Sequence, residues 1–162
     1  MRTRFALTVT VLTASLAGCS PAANAPELAV GDCVQLGGTA DRPTANAAAC
    51  GSYASNFKVV ATAKDNERCP ADVDSSYSMH STFAKSGNTA CLDIDWVIGG
   101  CMSVDPDGGT DPVRVDCNDR AAPHRQRASQ ILDNVANADQ CASGLGYAYD
   151  ERRFTVCVEN VG

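Results

Sequence analysis

Nine cysteines in 162 residues constrain this chain more than any other feature, because nine cannot all pair. Eight of them fall into two sets of four: Cys33, Cys50, Cys69 and Cys91, then Cys101, Cys117, Cys141 and Cys157. Cys19 stands ahead of both sets. Eight half-cystines point to an exported protein, since disulfides persist where thiols are not kept reduced. No Cys-x-x-Cys pair occurs, which argues against a thioredoxin-like redox centre and a zinc ribbon. Once Cys19 is set aside, parity also leaves no thiol for a cysteine nucleophile.

The residues before Cys19 explain why it is the odd one. Arg2 and Arg4 precede an acid-free, mostly apolar run from Phe5 to Leu16, the layout of an export signal. A run of about a dozen residues is too short for a membrane span, which needs roughly 20. Leu16-Ala17-Gly18-Cys19 then resembles the lipobox of bacterial lipoproteins: an aliphatic residue, two small residues that pass extended through a peptidase cleft, and the cysteine that becomes a thioether. The alternative is an ordinary secretory signal with an unrelated cysteine nearby. The lipobox reading makes 1–18 a signal peptide and 19–29 a lipidated N-terminus with an Ala-, Pro- and Asn-containing tether. Several acyl chains, at about 0.8 kcal/mol per buried methylene, hold a protein on a membrane effectively permanently.

Charge excludes one class of partner. Residues 1–18 carry two arginines and no acid, so their removal moves the formal charge from −6 to −8. No run of five basic residues offsets this, and nucleic acid is excluded as a partner.

The two cysteine sets have similar surroundings in the same order. "VGDCV" at 30–34 corresponds to "IGGCM" at 98–102, "CPADV" at 69–73 to "CASGL" at 141–145, and "ACLDI" to "TVCVE". "CGSYASNFKVVATA" at 50–63 aligns without gaps on "CNDRAAPHRQRASQ" at 117–130, which places His124 opposite Phe57. Such self-similarity suggests one supersecondary unit used twice, as module 1 over 30–98 and module 2 over 99–162.

Within each module the pattern reads strand, strand, strand, short helix, strand. Val113 and Val115 alternate with Arg114 and Asp116, and Phe154, Val156 and Val158 alternate likewise, each implying one buried face. Leu92, Ile94, Trp96 and Ile98 form one face of a strand that runs to Gly99-Gly100. The segments "PADVDSSYSMHSTFA" and "NVANADQCASG" carry Asn and Asp start signals for the helices. The expected fold class is therefore α+β: two tandem, disulfide-stapled modules of antiparallel strands with a short helix each.

With 6% aromatic residues, each module has a thin core that disulfides must supplement. Four cysteines allow three pairings per module. The local ones, Cys33 with Cys50, Cys69 with Cys91, Cys101 with Cys117 and Cys141 with Cys157, are preferred because the first two cysteines of each module lie on consecutive strands. Loops of this size imply roughly 3 kcal/mol per bridge.

Residues with chemical potential are few. "DPDGGTD", from Asp105 to Asp111, groups carboxylates and glycines, but no glutamate follows where a calcium loop needs one, and the sequence suits a hairpin turn. His80 and His124 lie in different modules and make no triad or metal set. No catalytic residue, metal ligand or cofactor site is assigned. Arg125 with Arg127, and Arg152 with Arg153, form a candidate contact surface, although a solvated, salt-bridged face explains them as well.

The stretches "VGDCVQL", "CGSYASNFKVVAT", "CPADVDSSYSM", "DIDWVIGGCMSVDPD", "TDPVRVDCNDRAAPHRQR" and "ADQCASGLGYAYDERRFTVCVE", together with the lipobox, resemble the LppU family of mycobacterial and other actinobacterial lipoproteins over the whole chain. The cysteine and Pro-His pattern of module 2 is also similar, more weakly, to septum formation domains of actinobacterial envelope proteins; module 1 lacks the Pro-His pair. The resemblance implies an exported, lipid-anchored envelope protein and no established activity; the lack of convergent polar groups in the sequence adds the expectation of a non-catalytic protein on the outer face of the plasma membrane. Its expected partners are the membrane, through the anchor, and an envelope protein or cell-wall component. The alternative is a carrier of a small ligand or lipid, which needs a deep cavity lined by residues such as Leu92, Ile94 and Trp96.

Overall fold

Period-two alternation dominates the sequence, and strands dominate the structure. The computed structural model describes residues 28–39, 41–65, 68–79 and 88–162. The export signal, Cys19 and most of the tether lie outside the described residues, as does His80.

The first sheet holds β1 (Cys33–Thr39), β2 (Arg42–Ala48), β3 (Phe57–Ala63), β4 (Ser75–Met79) and β5 (Asn88–Ile94). The second holds β6 (Cys101–Ser103), β7 (Val113–Val115), β8 (Arg125–Asp133), β9 (Gly146–Tyr149) and β10 (Phe154–Asn160). Their orders, β2-β1-β3-β5-β4 and β7-β6-β8-β10-β9, are the same order written twice, and every described pairing is antiparallel.

Even the irregularities repeat. The β3–β5 ladder skips Val60 between the pairs Val59↔Leu92 and Ala61↔Cys91, and the β8–β10 ladder skips Ser129 between Ala128↔Val158 and Gln130↔Cys157. A bulge bends its strand and fixes the register around it. Matching the two bulges puts Phe57, opposite Ile94, in the place of Gln126, opposite Asn160. The pairs Val34↔Phe57 and Met102↔Gln126 give the same answer. The gap-free alignment of Cys50 on Cys117 is therefore out by two residues within the strand. His124 corresponds to Ser55 rather than Phe57, because Gln126 lies nine residues after Cys117 whereas Phe57 lies seven after Cys50.

The α+β expectation is overturned: no α-helix occurs among the described residues, and each expected helix is replaced by an edge strand. In module 2 the edge strand follows the expected segment rather than occupying it, and the start signal there is real but short-lived. Asn137 accepts a bond from Asp139 N at 2.9 Å, and a 3-10 turn runs only from Ala138 to Gln140. The chain is then pinned by the Cys141–Cys157 bridge and enters β9 at Gly146. A Cβ at Gly146 would lie 2.9 Å from the Val156 carbonyl, so only glycine permits this close pairing. In module 1, Ser75–Met79 lies antiparallel to β5, and Asp74, read as a helix signal, accepts from Ile94 N at 2.8 Å instead.

Two alternation patterns also need correction. The predicted face of β7 is inverted: Val113 is exposed while Arg114 is buried. The strand of Leu92 and Ile94 ends at Ile94, where Trp96 N turns back to the Ile94 carbonyl at 2.8 Å. From Thr89 onward β5 is buried on both faces.

Burial divides unequally. Leu28, Val34, Leu36, Ala45, Phe57, Val59, Ala90, Leu92 and Ile94 form the larger cluster, which also takes in Met102 from the second sheet. Ala128, Tyr149, Val156 and Val158 form the smaller one. Trp96 packs against both, with its ring 5.2 Å from that of Tyr147.

Candidate functional site

The structure brings together each of the four local cysteine pairs: Cys33–Cys50, Cys69–Cys91, Cys101–Cys117 and Cys141–Cys157. In each module the first bridge ties the first strand to the loop after the second. The other ties the segment before the fourth strand to the fifth.

The four arginines do not make one surface. Arg125 is buried in β8, with its guanidinium donating to the carbonyls of Asp119, Val161 and Gly162. Arg127 reaches Glu159 across the β8–β10 ladder at 3.2 Å, with both side chains a little under half exposed. Such a pair contributes at most about 1 kcal/mol. Arg153 is exposed, with a φ of +55°.

Arg152 has a different role. Its Nε donates to Asp72 Oδ1 at 2.8 Å, its backbone N to Asp72 Oδ2 at 3.0 Å, and its two terminal nitrogens to the two oxygens of Asp93 at 2.5 and 2.9 Å. The guanidinium carbon lies 4.9 Å from the centre of the Tyr149 ring, which stacks on Phe154 at 4.3 Å. Tyr149 donates its hydroxyl to Asp74 Oδ2 at 2.7 Å. Two residues of module 2 thus fasten three acids of module 1: Arg152 holds Asp72 and Asp93, and Tyr149 holds Asp74.

Desolvation pushes Asp72 upward, but the hydrogen bonds and charge of Arg152 outweigh it and hold its carboxyl below the usual carboxylate range. Asp74 goes the other way, raised by burial beyond what its bonds to Ile94 N and Tyr149 offset. Burial, followed by the Asp74 charge, raises the Tyr147 hydroxyl to about 12.

A second clasp lies on the same seam. Arg114 donates from Nε to the Ser52 carbonyl at 3.0 Å, and from Nη2 to the Asp95 carbonyl and carboxylate. Asp95 Oδ2 also accepts from Gly51 N and Ser55 Oγ, each at 2.6 Å. Both charges are almost fully buried, so each relies on the other. The inverted face of β7 has its cause here: Arg114 turns inward because Asp95 is waiting across the seam.

Open depressions flank His124, itself exposed with a φ of +47°. One of about 300 Å³ is lined by Ser103, Asp105, Asp111 and Val113 among others; the second, of about 520 Å³, by Arg120, Gln126 and Asn160 among others. Asp105 is committed to its own loop, accepting from Asp107 N at 3.0 Å and Gly109 N at 3.1 Å. The Asp107 N–H, followed against slight desolvation by Thr110, Gly109 and the His124 charge, holds its carboxyl below the usual range. No cluster of three metal-ligating side chains occurs among the described residues.

Sequence reasoning missed Asp72, Asp74, Asp93, Asp95 and Arg114 as an interacting set. The only signal available was an excess of acids near the third and fourth cysteines of module 1. The chain matches no protein-family model, no curated protein and no solved structure.

Proposed function

We propose that the chain is a lipid-anchored protein of the outer face of the plasma membrane that works through contact rather than catalysis. The observation that carries this reading is the cysteine pairing: eight of the nine cysteines are joined in four bridges inside the two sheets. That leaves Cys19, within Leu16-Ala17-Gly18-Cys19, as the one sulfur without a partner in the framework. A lipobox gives that sulfur its role, and the resemblance to actinobacterial lipoproteins agrees with it.

Contact rather than catalysis fits the use to which the polar groups are put. The converging charges, Arg114 with Asp95 and Arg152 with Asp72 and Asp93, join module to module. Among the described residues, His124 shares an open depression with Asp105, whose carboxylate is committed to its own loop. An envelope protein or cell-wall component is the proposed partner. A carrier role is disfavoured because Leu92 and Ile94 are packed within the core, with Trp96 against it, rather than around a cavity.

Intact mass of the protein extracted from membranes tests the reading. A diacylated or triacylated N-terminus at Cys19, with no alkylatable thiol before reduction, is the expected result. A free thiol, or an unmodified Cys19, would refute it. Crosslinking in living cells then identifies the neighbour, and activity-based labelling abolished by His124→Ala would overturn the non-catalytic part.

A further inference from the structure

Among the described residues, seven large apolar side chains are exposed, and four of them lie at one pole: Val30 at 63%, Tyr53 at 69%, Val97 at 39% and Ile98 at 52%. Backbone contacts gather them there. Cys50 Sγ lies 3.7 Å from the Gly31 carbonyl oxygen, which brings the segment of Val30 to the loop after β2. Tyr53 sits in that loop, between the turns closed by Ser52 N to Ala49 O and by Ser55 N to Ser52 O. A Cβ added to Gly51 would stand 3.1 Å from Val97 Cγ2, and Ile98 follows in the turn closed by Gly100 N to Val97 O at 2.8 Å. Grouped exposure of this kind marks a contact surface more than scattered exposure does.

The chain itself indicates the occupant. Leu28, the first described residue, is buried in the core two positions before Val30. The pole is therefore where the chain from Cys19 enters the fold. The positions 19–27 reach at most about 30 Å when extended, so an anchor at Cys19 keeps this end of the protein nearest the bilayer.

We propose that the pole formed by Val30, Tyr53, Val97 and Ile98 is a membrane-seating surface, with the lipid bilayer that holds Cys19 as its partner. The proposal rests on the lipid-anchor reading. A tyrosine ring suits the headgroup level, where its body meets apolar chains and its hydroxyl stays wet. The surroundings are acidic. Asp32 accepts from Ala29 N at 2.8 Å, and Cys117 Sγ lies 3.7 Å from the Gly99 carbonyl oxygen, which brings Asp116 close. Of the nearby cations, Arg114 is committed to Asp95, and exposed Lys58, paired in register with Cys33, stands beside Asp32. Seating is apolar in origin, and added salt does not undo it.

The test uses the full lipidated protein in phosphatidylcholine vesicles carrying a nitroxide at headgroup depth. Two variants, Y53W and T39W, place an indole at the pole and at the far end of β1, roughly 20 Å away at strand rise. With the emission of Trp96 subtracted, the Y53W signal should fall about twofold and stay low at high salt, while the T39W signal stays nearly unchanged. Equal quenching at the two positions, or recovery of the Y53W signal in salt, would overturn the proposal. A blue shift that grows with protein density and comes without quenching would also overturn it, by giving the pole to a second copy of the chain. Intact mass of the same sample separates the causes of failure. A lipidated Cys19 with equal quenching sinks the seating alone, and an unmodified Cys19 sinks the anchor and the seating together.

Discussion

Modules 1 and 2 share strand order, bridge positions and a bulge at the same place, yet they are stabilised differently. Module 1 has a β1–β2 hairpin of seven pairs and supplies eight of the ten residues in the larger core cluster, to which Leu28 of the preceding segment adds a ninth. The matching β6–β7 hairpin has three pairs, and the cluster of module 2 has four buried residues. The difference is concentrated at equivalent positions. Phe57 fills the core of module 1, while Gln126 in the same place accepts a hydrogen bond from Tyr147. Asn56 satisfies both backbone groups of Leu36, while Arg125 in its place reaches the carbonyls of the last two residues. One topology thus tolerates an apolar or a polar interior when bridges hold its register.

That contrast can be broken most forcefully at Phe57. Phe57→Ala should cost about 3–5 kcal/mol, against about 1 kcal/mol for Gln126→Ala. Denaturant titration measures both, and equal losses would mean that the second core is as dependent on packing as the first. Next come the bridges. Removing Cys141–Cys157 by paired serine substitution should cost about 3 kcal/mol and unfold module 2 ahead of module 1, whereas removing Cys69–Cys91 should lower a transition that the larger core still supports. Hydrogen exchange followed residue by residue distinguishes them, and a single shared transition in both variants would show the modules to be one cooperative unit.

The seam gives smaller effects. Arg152→Met leaves Asp72 and Asp93 without their cation and should cost about 2 kcal/mol, less than a fully buried pair because the arginine is partly in water. The variant should also lose part of the acid sensitivity of the parent. Because Asp72 titrates below its ordinary value in the folded chain, its stabilisation is present above that ordinary value and disappears as pH falls through the lowered one. A melting temperature that falls in acid as steeply in the variant as in the parent would contradict this.

The smallest effect is expected at Asp74, whose counterpart by register is Gly144. Its raised pKa means that ionisation opposes folding above the folded value and that the penalty fades as pH falls. Asp74→Asn should therefore raise the melting temperature slightly at pH 7 and leave it unchanged near pH 3; a lower value at pH 7 would refute the assignment.

How much of this was legible in the sequence depended on whether the cause was local. Cysteine order and repeated contexts are local facts, and the two sheets repeat one strand order as the cysteine contexts repeat. Alternation located β10, but the single buried face it implied is absent there, since Thr155 and Cys157 are buried along with Val156 and Val158. It failed at β7, where Arg114 is buried by an acid 19 residues away. The helix expectation failed for a similar reason. Asn137 and Asp139 do start a turn, but Cys141 is held by Cys157 and Gly146 by the strand beside it. Tyr77 and Tyr147, which occupy the same register position on β4 and β9, were the missed sign that these segments repeat as strands. The seam was illegible because its charges come from both modules and meet only after folding.

The bridges join cysteines that are consecutive along the chain after Cys19, first to second, third to fourth, and onward. A chain that emerges N-terminus first into an oxidising compartment meets each correct partner as the next thiol to arrive, so an oxidase without an isomerase can make every native bond. One extra thiol ahead of Cys33 would shift that frame by one and mispair the whole series. Under the proposed lipidation, the thioether at Cys19 is a reading-frame device as well as an anchor, because a sulfur held in a thioether cannot enter that series.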